Sequence, residues 1–179
     1  MIRWHQTADY GYVPNAVLQN VFMAVSLDTY DEESGIHPRN KQLPSKRLAT
    51  AGLKVAYGLS GFPENGPRPA TINFNAFEDG IQVDLVYDQD FTWDDSETNG
   101  FSYCCEADLI ECNAKSGKWQ DVESVSVAGR AISTVIPNCS VGLAYLWKTT
   151  PVVGTEALPI YADNEFRLPA APWLWNVTK

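Results

Sequence analysis

The strongest constraint on this chain is a change of pattern near residue 61. Beyond it, Thr71-Ile72-Asn73-Phe74-Asn75-Ala76-Phe77 and Ile81-Gln82-Val83-Asp84-Leu85-Val86-Tyr87 carry a period of two, as expected of strands with one face buried. Glu78-Asp79-Gly80 between them is a glycine-containing turn, so the pair reads as an antiparallel hairpin. Further strands are expected at 100–105, 122–136 and 140–148. No strong helical periodicity separates them, which predicts an antiparallel β-sandwich over residues 61–179.

Residues 1–60 read differently. Val21-Phe22-Met23-Ala24-Val25-Ser26-Leu27 is a near-continuous apolar run that ends abruptly at Asp28, the signature of a buried parallel strand. The acidic stretch Asp28-Thr29-Tyr30-Asp31-Glu32-Glu33 follows, where an open α/β sheet places its chemistry, although a solvated acidic turn has the same composition. A helix is expected from about Asn40 to Tyr57, with Pro44 in its first turn and Gly58 closing it. Strand, loop and helix make one βα unit. Gly61-Phe62-Pro63-Glu64-Asn65-Gly66-Pro67-Arg68-Pro69 is a rigid, turn-rich linker. Charge changes at the same place: residues 1–60 hold six Lys/Arg and five Asp/Glu, and residues 61–179 hold seven and seventeen. The expected fold class is α/β plus all-β, with units 1–60 and 61–179.

A net charge of −9 without any basic stripe argues against a nucleic-acid partner. No apolar stretch reaches the ~18 residues of a membrane span. All four cysteines lie between Cys104 and Cys139, and Asn138-Cys139-Ser140 and Asn176-Val177-Thr178 are glycosylation acceptors. Both features fit an oxidising secretory or lysosomal setting. Met1-Ile2-Arg3-Trp4-His5-Gln6 has no apolar stretch behind its charge and is no signal peptide, so the expectation is a chain that begins inside a longer one. Adjacent Cys104 and Cys105 have Cα atoms only about 3.8 Å apart, which argues against a bond between them. Cys105 shares parity with Phe101 and Tyr103, and Cys139 with Val141, Leu143, Tyr145 and Trp147, so both are expected to face the core. The expected bridges are Cys105–Cys139 and Cys104–Cys112. Two histidines and a vicinal cysteine pair do not reproduce a zinc spacing.

The same two histidines shorten the search for an acid or base. His37, in Gly35-Ile36-His37-Pro38-Arg39-Asn40-Lys41, stands between the acidic loop and the helix. A carboxylate could orient one ring nitrogen there while the other serves as general base.

A family resemblance runs through the chain in order. Arg3 to Asn15, Phe22-Met23-Ala24-Val25 with Asp28, Ile36-His37-Pro38-Arg39-Asn40-Lys41-Gln42 and Arg47-Leu48 resemble consecutive blocks of animal sialate O-acetylesterases. Cys104-Cys105, Cys112, Cys139, Pro159-Ile160-Tyr161 and Leu168-Pro169-Ala170-Ala171-Pro172 are similar to the C-terminal region of that family. The resemblance implies a flavodoxin-like SGNH hydrolase domain, here only its C-terminal piece over 1–60, followed by the β-sandwich. It implies hydrolysis of O-acetyl esters of sialic acid or a related acetylated sugar, without cofactor, in a lysosomal or secreted protein. His37 becomes the catalytic base. The common spacing would put an aspartate three residues earlier, at Ser34, which leaves Asp28 and Asp31; Asp28 matches the family block better, and Asp31 could instead orient the loop. His5 and Gln6 are candidates for substrate contact, with bracing of the sheet the alternative for His5. The serine block has no counterpart, since Gly58-Leu59-Ser60-Gly61-Phe62 fails the Gly-x-Ser-x-Gly pattern at Phe62 and follows a helix. The chain is therefore expected to need the missing N-terminal part of the esterase domain for turnover. A noncatalytic carbohydrate-binding or structural β-module with an esterase remnant is the alternative.

Overall fold

The computed structural model of the chain describes residues 2–29, 37, 39–96, 98–114, 118–148 and 157–177. Two helices, α1 (Ile2–Gln6) and α2 (Gln42–Val55), precede the strands. Pro44 lies in the first turn of α2, where an N–H has no helical acceptor to lose. Gly58, at φ +69°, ends the helical path and donates its N–H to the Lys54 carbonyl at 3.0 Å. The apolar run 21–27 forms no strand, contrary to the expectation. A parallel strand needs a hydrogen-bonded neighbour, and among the described residues none pairs with this segment. Val25 is buried within it, whereas Val21 remains 39% exposed.

The expected hairpin is β1 (Pro69–Phe77) and β2 (Gly80–Tyr87), with Phe77 opposite Gly80 across Glu78-Asp79. There follow β3 (Phe91–Trp93), β4 (Phe101–Cys104), the short α3 (Leu109–Ala114), β5 (Gln120–Asp121) and β6 (Ser126–Ala128). The chain ends with β7 (Ala131–Ile136), β8 (Gly142–Tyr145), β9 (Ile160–Ala162) and β10 (Trp173–Asn176). The stretch 122–136 thus divides into β6 and β7, turning at Gly129 with φ +58°. Periodicity does not announce β3, β5, β9, β10 or α3, because they are too short for a period to register.

All strand pairs among the described residues are antiparallel. The described strands form one sheet in the order β1-β2-β7-β6, a second in the order β10-β8-β4-β5, and a small β3-β9 pair. Ile81, Val83, Leu85 and Tyr87 alternate inward along β2, and Ile132 and Ile136 do so on β7. They meet Phe101, Leu143, Tyr145 and Trp173 from the second sheet and Ile160 from β9 in one core. Each such side chain, fully buried, contributes about 1.5–3 kcal/mol.

Cys104–Cys112 and Cys105–Cys139 are both bonded, with Cα separations of 6.1 and 5.0 Å. The facing of the cysteines differs from the expectation. Cys104 is the fully buried member, in a second cluster with Cys112, Trp119, Trp147 and Leu174, whereas Cys105 is half-buried and Cys139 exposed. The reason is that β4 is covered on both faces: Phe101 faces the main core, and Cys104 faces the cluster beneath α3. Parity with Phe101 therefore does not distinguish inside from outside.

The residues before the linker are fastened to the sheets. Arg3 donates to the carbonyls of Leu146 and Trp147 at 3.0 and 2.9 Å and lies over the Trp147 ring, and burial holds its guanidinium below the ordinary arginine value. Gly11, at φ +85°, accepts from the Leu174 N–H at 2.9 Å, and a Cβ there would stand 2.3 Å from the Leu174 carbonyl oxygen. Only glycine permits this approach. Tyr12 then stacks on Trp175 at 5.5 Å.

Candidate functional site

In the sequence His37 falls between Asp28 and α2, and these two flanks are tied together. The α2 face that carries the buried residues Arg47, Thr50 and Ala51 turns inward, and Arg47 meets Asp28 as a two-pronged pair, Nη1 to Oδ1 and Nη2 to Oδ2, both 2.6 Å. The side chains are 6% and 3% exposed. Arg47 Nη1 also donates to the Val25 carbonyl at 2.6 Å, which anchors the 21–28 segment to the helix. From β9 the Tyr161 hydroxyl donates to Asp28 Oδ2 at 2.8 Å. Burial first, and then the Asp28 carboxylate, push the Tyr161 phenol well above the ordinary tyrosine value.

This cluster joins three remote parts of the chain. Planar, two-pronged pairing suits guanidinium to carboxylate and restricts both partners in orientation as well as distance. A buried aspartate is tolerated here because both oxygens are engaged. His37 is exposed at the surface. Asp31 lies outside the described residues.

Other expected site residues lie elsewhere. His5, on α1, has Nδ1 2.7 Å from Asp9 Oδ1, and both side chains are more than half exposed. Gln6, exposed on the same helix, edges a cleft of about 600 Å³ whose far wall is the 21–27 segment. Asn138 is exposed, with its amide donating to the Phe77 and Glu78 carbonyls at 3.2 and 3.0 Å, while Ser140 of the same acceptor motif is buried. Asn176 lies in β10 opposite Gly142. Among the described residues no set of His, Cys, Asp and Glu converges as metal ligands, and no helix is long and apolar enough to cross a membrane. Arg47 and Tyr161 are the residues that sequence reasoning did not select as functional. Both lie inside the resemblance blocks, but no spacing rule connects positions 28, 47 and 161.

The fold defines a β-rich, disulfide-bonded module with a helical leading segment, whose buried Asp28–Arg47 pair is linked to the module by the Tyr161 hydroxyl. Comparison with known proteins gives that class a family. The family model for the sialate O-acetylesterase C-terminal domain matches residues 72–177. The sialate O-acetylesterases of Pongo abelii and Homo sapiens are each 34% identical over 99% of this chain and 33% of their own length. That of Mus musculus is 31% identical over 99% of this chain and 32% of its length. The chain belongs to the sialate O-acetylesterase family, and it spans about a third of the length of these curated relatives.

Proposed function

We propose that the chain is the C-terminal part of a sialate O-acetylesterase, supplying the acid/base half of a site that hydrolyses O-acetyl esters of sialic acids. The observation that carries this reading is the likeness to sialate O-acetylesterases across 99% of the chain. In it, residues 1–60 are the end of a flavodoxin-like SGNH domain and residues 61–179 the appended β-sandwich. Ser60 follows α2 rather than a strand, so it has no elbow from which to attack; the nucleophile belongs to a segment outside this chain.

His37 is the general base. Its imidazole takes the serine proton during attack on the acetyl carbonyl and returns it to the sugar oxygen as that oxygen leaves. The carboxylate that orients it comes from Asp28 or Asp31. Arg47 and Tyr161 already occupy Asp28, which favours Asp31 as the orienting group and makes Asp28 the anchor of the loop. His5 and Gln6, on α1, serve substrate contact. No cofactor enters this chemistry. The two disulfides suit a lysosomal or secreted protein, and Asn138 and Asn176 are its glycan acceptors.

Acetate release from O-acetylated sialic acid tests the reading, using this chain alone and joined to the N-terminal esterase part of a relative. The joined protein is expected to be active and the chain alone inactive. His37→Asn should lower kcat at least about a hundredfold with KM little changed. Near wild-type kcat in a folded His37→Asn protein refutes the assignment and supports a noncatalytic β-module instead.

A further inference from the structure

Asn138-Cys139-Ser140 lies in the connection between β7 and β8, and each of its residues is held in place. The Ser140 N–H donates to the Pro137 carbonyl at 3.0 Å, closing a tight turn with Asn138 and Cys139 at its centre. The Asn138 side-chain amide donates to the Phe77 and Glu78 carbonyls at 3.2 and 3.0 Å, which docks the turn on the end of the β1–β2 hairpin. Cys139 is bonded to Cys105, the residue that follows β4. Ser140 is 2% exposed with its hydroxyl oxygen shielded from solvent, and the next N–H, that of Val141, donates to the Cys104 carbonyl at 2.9 Å.

Asn138 is exposed, and exposure alone would make it a usable glycan acceptor. The motif asks for more. An Asn-x-Ser acceptor is defined by amide and hydroxyl together, and the enzyme that joins a glycan to the amide must reach both. The folded turn commits the amide to two carbonyls and hides the hydroxyl, so reaching both requires the turn to open. Hydrogen bonds alone would let it open on the microsecond-to-second timescale of local unfolding, whereas an uncatalysed disulfide rearranges only over minutes to hours. Cys139 stands between the two required residues, so its bridge ties down the motif itself. Cys105 precedes Cys139 by 34 residues and is already made when Asn138 and Cys139 are added to the chain, so the bridge can form as soon as the acceptor exists.

We propose that Asn138 accepts a glycan only while Cys139 is unbridged, so that glycan transfer and closure of the Cys105–Cys139 disulfide compete for the same turn. In the transfer, Asn138 Nδ2 loses a proton and forms a bond to the anomeric carbon of a lipid-linked oligosaccharide, whose bond to the diphosphate breaks. In the closure, the two thiols lose two protons and two electrons to a disulfide oxidant, which leaves as a dithiol. Whichever step comes first decides whether the folded protein carries a glycan at the β7–β8 turn. The proposal rests on the secretory placement of the chain, and its test does not.

Purified oligosaccharyltransferase and a lipid-linked oligosaccharide, added to the purified 179-residue chain, test this, with transfer read by mass spectrometry at Asn138. A linear peptide of residues 133–145, kept reduced, gives the rate of an unhindered acceptor. The oxidised chain is expected to be modified at least about tenfold more slowly than the peptide, because a pinned turn is presented only by local opening. Cys105→Ser leaves the acceptor motif intact and should restore at least about half of the peptide rate, as expected once opening no longer limits presentation. The double variant Cys104→Ser/Cys112→Ser removes the other bridge and should stay as slow as the oxidised chain, which separates loss of this bridge from loss of stability in general. An oxidised chain modified at the peptide rate, a Cys105→Ser chain no faster than wild type, or a Cys104→Ser/Cys112→Ser chain as fast as Cys105→Ser overturns the proposal. A peptide that takes no glycan overturns it too, by removing Asn138 as an acceptor. Acetate release plays no part in the readout, so failure here leaves the esterase reading standing, and an inactive joined protein leaves the competition at Asn138 standing.

Discussion

Replacing Arg47 with methionine would leave the Asp28 carboxylate, 3% exposed, with the Tyr161 hydroxyl and without the guanidinium that engages both its oxygens. The Val25 carbonyl would lose its Arg47 donor in the same step. The change keeps most of the side-chain volume, so what is measured is the stranded charge rather than a cavity. Removing one partner of a buried pair costs about 3–5 kcal/mol, a large share of the ~5–15 kcal/mol that holds a domain folded. In a chain of this size the melting temperature should fall by about 6–20 °C. Denaturant unfolding followed by tryptophan fluorescence would give the free energy directly. The companion variant Asp28→Asn removes the charge that Arg47→Met strands, so the double variant should lose less than the two single losses together, by about 2 kcal/mol or more. A cost below about 1 kcal/mol for Arg47→Met, or simple additivity in the double variant, would refute the argument that this pair locks the base of the His37 loop.

Three further outcomes follow from the packing. Reducing both disulfides should lower the melting temperature, since each bridge contributes about 2–4 kcal/mol; four free thiols in material recovered from an oxidising compartment would remove the bridges from the account. Gly11→Ala should destabilise the chain by roughly 1–3 kcal/mol, because the new Cβ meets the Leu174 carbonyl oxygen at a positive φ, and a melting curve unchanged from wild type would count against the docking of residues 2–29. Burial raises the phenols of Tyr87, Tyr145 and Tyr161 above their ordinary value, so the unfolded chain loses these protons first and stability should decline as pH rises past about 10; melting curves between neutral and alkaline pH check this, and Tyr161→Phe should show a shallower decline.

What the sequence alone determined about this protein is local or pairwise. Alternation of apolar and polar residues specified the β1–β2 hairpin, because a strand repeats its facing every second residue. Pro44 and Gly58 bounded α2 because each restricts or frees its own backbone, and the short reach between Cys104 and Cys105 directed each to a more distant partner. His37 was legible as the candidate base because it is one of only two histidines and stands between the acidic stretch and α2. Tertiary structure decided the rest. Residues 21–27 have the composition of a buried strand, but a strand exists only with a ladder partner, and composition does not supply one. Cys104 faces inward because α3 and Trp119 cover the second face of β4, a matter of what packs there rather than of parity. The Asp28–Arg47–Tyr161 cluster depends on bringing together positions separated by 19 and 133 residues. Each of those residues looks like an ordinary surface polar group in the sequence, and only folding turns the three into one buried, mutually neutralising site.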